Sequence, residues 1–160
     1  GFIEQLFQVV YVINTSLCRE RDITGITYKF VKVSEDRLYG LECIKIEGAD
    51  VMISSRERTL IDLIYFNKPV GGIVPAQQIF KRIAGKKECN MNKLIEYAAK
   101  FPSIKTRKRI GLILESMGVK KNLLRPLIKS VENTAIISLN GPRRGPINKT
   151  WGVISGASRK

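Results

Sequence analysis

Apolar residues alternate with polar ones in short runs up to about residue 54, and beyond it they recur at helical spacing. Residues 7–14 (Phe7 to Asn14), rich in β-branched and aromatic side chains, predict a buried strand. Residues 15–25 are polar, close on Gly25 and predict a loop. In residues 26–33, Ile26, Tyr28 and Phe30 alternate with Thr27, Lys29 and Val31, the pattern of a half-exposed strand. Residues 40–47 alternate again, with a bulge expected at the Cys43-Ile44 doublet and Cys43 placed in the core. A short strand, Val51 to Ile53, completes an antiparallel set.

The stretch from Ser54 to Ile64 starts the helical half. Ser54 and Glu57 have the spacing of a capping box, in which each side chain satisfies the other's backbone N–H. Leu60, Ile61, Leu63 and Ile64 make a face wide enough for a central helix, and Arg58 and Asp62 stand four apart, at pairing distance. Three further helices follow from i, i+3, i+4, i+7 stripes. One starts at Pro75 with Ala76, Ile79, Phe80 and Ile83; the next carries Met91, Leu94, Ile95 and Ala98. The third spans 103–117 on Ile110, Ile113, Leu114 and Met117, with Gly118 as its stop. A last helix over 122–131 holds Pro126, read as a late start or a kink. Strands at 135–139 and 151–154 flank a loop at 140–146, and the tail from Ser155 frays. The expected fold is α+β: a small, mostly antiparallel sheet from the N-terminal half, packed by about five helices, with closing strands near the C-terminus.

Charge divides the chain at the same place. Residues 1–64 carry 8 Lys/Arg against 10 Asp/Glu, and residues 65–160 carry 20 against 4. The second half attracts polyanions or an acidic protein surface. Helix 103–117 concentrates the charge: Lys105, Lys108 and Arg109 project opposite its apolar stripe, with Arg107 on the flank. These four, together with Arg143, Arg144 and Lys149, are the candidate nucleic-acid or partner-binding residues.

Histidine is absent, which removes the commonest general base and the Ser-His and Cys-His pairs. Cys18, Cys43 and Cys89 are odd in number and far apart, so neither a disulfide framework nor a zinc site is expected. Phosphate-binding glycine loops are missing, as is any acid-x-Lys triplet of the metal-dependent nuclease type. No catalytic residue, metal or cofactor is assigned. No apolar run reaches the roughly 18 residues of a membrane span, so no membrane partner is expected and the cytoplasm is the default compartment. The chain opens on Gly1 without an initiator Met, as a piece of a longer protein would.

Taken together, the Val10-Tyr11-Val12 and Tyr28-Lys29-Phe30 strands, Arg56-Glu57-Arg58-Thr59-Leu60-Ile61-Asp62, Lys108-Arg109-Ile110-Gly111-Leu112-Ile113-Leu114-Glu115 and a closing Trp151 segment form an ordered series. This series resembles the C-terminal domain of the AbiEi family, antitoxins and transcriptional regulators of type IV abortive-infection toxin–antitoxin systems. The resemblance spans nearly all of residues 1–160 as one domain; Ile113 departs from the Leu usual there. It implies a non-enzymatic antitoxin domain that suppresses a cognate nucleotidyltransferase-type toxin. It also implies support of promoter DNA binding by an N-terminal winged helix, which has no counterpart in these residues. The family supplies no catalytic residue to carry over, so Ser54, Glu57, Arg58, Thr59 and Asp62 are expected to be structural. Two other readings stand beside it: a basic nucleic-acid-binding accessory domain with no toxin partner, and an enzyme acting on nucleotide or phosphorylated substrates.

Overall fold

The computed structural model describes residues 9–139 and 144–154. The chain forms two compact units, Gly1–Tyr39 and Gly40–Lys160. The fold class is α+β as expected, with the strands gathered in three small sheets.

In the first unit, β1 (Val9–Asn14), β2 (Arg21–Ile23) and β3 (Ile26–Lys32) form a sheet in the order β1-β3-β2. Thr24 and Gly25, both at positive φ (48° and 81°), make the two-residue turn that returns β2 antiparallel onto β3. The segment expected to be all loop therefore contains an edge strand. Because that hairpin occupies one side of β3, β1 takes the other side and runs parallel, in register from Val9↔Thr27 to Asn14↔Lys32. Asn14 O also accepts from Val33 N at 2.8 Å, which carries the pairing one residue further.

The second unit opens on a ribbon, β4 (Leu41–Ile46) and β5 (Ala49–Ser54), paired without interruption from Leu41↔Ser54 to Ile46↔Ala49. No bulge interrupts it, and Cys43 is exposed. Pairing holds Ser54 in β5, so the cap of α1 (Arg56–Tyr65) falls one residue later than the sequence suggested. Ser55, buried, accepts from the Arg58 N–H at 3.3 Å. Ser55→Ala is expected to cost about 0.5–2 kcal/mol, read as a lowered urea midpoint, and Ser54→Ala much less. Equal losses would put the cap back at Ser54.

Four more helices follow: α2 (Ile73–Ala84), α3 (Met91–Lys100), α4 (Ile104–Ser116) and α5 (Lys121–Lys129). α2 starts two residues before Pro75, which still lies in the first turn, where no helical partner awaits its missing N–H. α3 and α4 are capped by Asn90 and Ser103, each accepting from the N–H three residues on. Pro126 sits inside α5, which nonetheless runs through it. α1 packs against α2, α3 and α4, and α5 lies on α3 and α4. Their stripes meet in a core of Leu60, Ile61, Phe80, Leu94, Phe101 and Leu114, each 1% exposed or less. A small sheet then closes the unit: β6 (Ile137–Ser138), β7 (Ile147–Asn148) and β8 (Val153–Ile154), ordered β6-β8-β7. Trp151 belongs to the turn before β8 and is buried. No helix among the described residues is long and apolar enough to cross a membrane.

Candidate functional site

The basic helix α4 has two covered faces. Ile110, Ile113 and Leu114 fill the helical core as the periodicity predicted. The opposite face, expected to present cations outward, is covered by the chain that follows α5. Lys108 is 1% exposed and donates to Thr134 O (3.3 Å) and Ala135 O (2.8 Å). Arg107 donates to Phe101 O and to Ser130 O (2.9 Å), tying the start of α4 to the end of α5. Arg109 donates to Leu139 O at 3.0 Å. Burial pushes the pKa of Lys108 and of Arg109 down. Three of the four cations on the basic helix therefore brace backbone carbonyls. Two carbonyl acceptors each for Arg107 and Lys108, and one for Arg109, offset part of the cost of burying these charges, at a helix start whose dipole also disfavours them.

The same face explains the rest of the Lys108–Glu115 stretch. Residues 108, 111 and 115 stack along one side of the helix. Trp151 lies flat where Gly111 has no side chain. Its Nε1 donates to Glu115 Oε2 (3.2 Å), which also accepts from Asn148 Nδ2 (2.7 Å). Asn148 Oδ1 in turn accepts from the Trp151 N–H.

Residues of the first motif also do structural work. Arg58, fully buried, makes a two-point pair with Asp62, Nε to Oδ2 and Nη2 to Oδ1, both 2.9 Å. Its guanidinium lies 5.4 Å from the Phe101 ring centre. Glu57, buried, does not turn back to the cap; its Oε1 accepts from the Asn90 N–H at the start of α3 (2.8 Å). Lys93 bridges Glu42 (3.0 Å) and Glu57 (3.9 Å), and the hydrogen bond to Glu42 raises its pKa. The Cys89 thiol is pushed up by burial and by Glu57. Thr59 is exposed.

Of the predicted binding residues, Lys105, Arg144 and Lys149 are exposed, and Arg143 lies outside the described residues. Spacing also offers a set that the sequence reading passed over. Lys121, Arg125 and Lys129 recur every fourth residue of α5, all exposed, while Leu124 and Leu127 are buried. Each step of four rises about 6 Å along the helix, so the three charges form one ridge. Acids to neutralise it are scarce. Of the four in residues 65–160, Glu88 pairs with Arg56, Glu96 with Lys100, and Glu115 is taken by Trp151 and Asn148, while Glu132, three residues beyond Lys129, makes no ion pair among the described residues. The ridge makes no ion pair among the described residues.

No family model, no curated protein and no solved structure matches the chain. Among the described residues, no group of three or more His, Cys, Asp or Glu side chains is placed to hold a metal ion. The surface offers point charges for phosphate or carboxylate contact, with Lys and Arg as donors.

Proposed function

We propose that this chain acts by binding, as the antitoxin domain of an AbiEi-type toxin–antitoxin system. In this reading it suppresses a nucleotidyltransferase-type toxin and supports promoter binding through contacts to DNA phosphates. The observation that carries the binding part is the uncompensated Lys121–Arg125–Lys129 ridge. The antitoxin part rests on the motif series. Among the described residues, four of the five buried polar side chains, Ser55, Glu57, Arg58 and Lys108, lie in or beside its Arg56–Asp62 and Lys108–Glu115 stretches. Burial there gives those stretches a role in specifying the fold, which is the role the resemblance implies for them.

Binding of the chain to duplex DNA is expected to weaken steeply with salt. Lys121→Ala/Arg125→Ala/Lys129→Ala removes up to three phosphate contacts and should shallow the log K against log[salt] slope by about 0.9 per contact. The loss should be alike for all sequences, because phosphate contacts position a protein without reading bases. An unchanged slope would remove α5 from the interface. Toxin rescue in cells, run on the same variant, separates this reading from that of an accessory DNA-binding domain with no toxin. Rescue by the parent chain supports the antitoxin, and failure of the parent to rescue any nucleotidyltransferase encoded beside it leaves the accessory domain.

A further inference from the structure

Among the described residues Lys108 is the one buried lysine, and the partners that meet its charge there are neutral oxygens. An ammonium carries three N–H donors. Two go to Thr134 O and Ala135 O, and no carboxylate lies within ion-pair distance among the described residues. The third donor is unspent. Burial costs a cation heavily unless an anion completes its shell, and burial is what pushes the Lys108 pKa down.

Lys108 belongs to the lining of an open cavity of about 560 Å³, within the range of small-molecule sites. Gly152 helps form its wall, and a Cβ there would stand 2.9 Å from Lys108 Nζ. The missing side chain leaves the room in which Nζ sits. Lys149 supplies a second cation at the wall, and Thr134 and Thr150 supply hydroxyls. Ile136 and Ile147, 47% and 48% exposed, give it apolar walls that nothing covers. Glu132 is the single acid of the lining and opposes a second anionic group.

We propose that the cavity over Lys108 is a binding site for a small molecule with one phosphate or carboxylate head and a compact apolar or flat body. The head takes the third Lys108 N–H and the Lys149 ammonium, and the body covers Ile136 and Ile147. This site is separate from the α5 ridge and does not depend on what that ridge binds.

Trp151, the only tryptophan, lies in the cavity wall and reports occupancy by its fluorescence. Phenyl phosphate and benzoate are titrated into the full chain, with inorganic phosphate as head alone and phenol as body alone. Saturable emission changes and a raised melting temperature are expected with phenyl phosphate or benzoate, the tighter of the two assigning the head group. Lys108→Met should weaken that binding about tenfold or more, the worth of one charge-assisted hydrogen bond. Ile147→Asp, at an exposed wall position, adds a second carboxylate and should lose binding while the core is untouched, so the test survives if Lys108→Met folds poorly. No saturable response from any probe, or unchanged affinity in Ile147→Asp, overturns the site.

Discussion

Asp62→Ala is expected to destabilise the Gly40–Lys160 unit by about 3–5 kcal/mol, the usual result of removing one member of a buried pair. Such a loss is a large fraction of the roughly 5–15 kcal/mol that holds a domain folded. Arg58 has no exposed surface, and its Nε and Nη2 each donate to the Asp62 carboxylate at 2.9 Å. Without that carboxylate the guanidinium stays against Phe101, at the point where α1 meets α3 and α4. Asp62→Asn should cost less, because its amide oxygen still accepts one of the two bonds. Arg58→Met/Asp62→Leu should recover most of the stability, since apolar replacement of a whole buried pair is commonly neutral or better. Chemical denaturation of the single and double variants checks the set. A loss below about 1 kcal/mol for Asp62→Ala would mean that water reaches Arg58 and screens it. DNA binding per folded molecule should not change, because this pair is remote from the α5 ridge in role and exposure.

How far the sequence could be read depended on how local each interaction is. Five helices were visible because their stripes repeat within each segment: Leu94, Ile95 and Ala98 are buried as their spacing requires. The Arg58–Asp62 pair was visible for the same reason, being one turn long. The cap slipped by one residue because Ser54 and Ser55 are equally able to serve. The choice is made by β4, whose Leu41 pairs with Ser54. Glu57 was misread because its partner, the Asn90 N–H, lies 33 residues away. Lys108 shows the sharpest version of this limit. Helical geometry correctly set it opposite the apolar stripe, but opposite does not mean outward. The cover comes from residues 130–139 and 144–154, whose strands are two residues long and carry almost no periodic signal. By contrast, the ridge of α5 was legible in the spacing of Lys121, Arg125 and Lys129 and needed no structure to find.

Gly111→Ala tests the joint between α4 and the closing segment, and here two effects oppose each other. In a helix interior, alanine is favoured over glycine by about 1 kcal/mol, so an uncovered Gly111 would gain stability on substitution. Gly111 is covered. An added Cβ would stand 2.2 Å from Trp151 Cζ3 and 2.4 Å from both Cε3 and Cη2, distances that no contact tolerates. The ring cannot slide aside cheaply. Trp151 is 1% exposed, its Nε1 is held by Glu115, and its backbone N–H is held by Asn148. Expelling it forfeits an amount near that of Trp→Ala, about 3–5 kcal/mol, which outweighs the propensity gain. The net expectation is a loss of about 2–4 kcal/mol, with Trp151 emission shifted to that of a solvated indole. Gly111→Ala/Trp151→Leu should be more stable than the two single losses combined, because the smaller side chain leaves room for the methyl group. That coupling separates a steric cause from a backbone one. A Gly111→Ala chain more stable than its parent, with Trp151 emission unchanged, would show that α4 and the closing segment yield to each other and that the indole does not pin them.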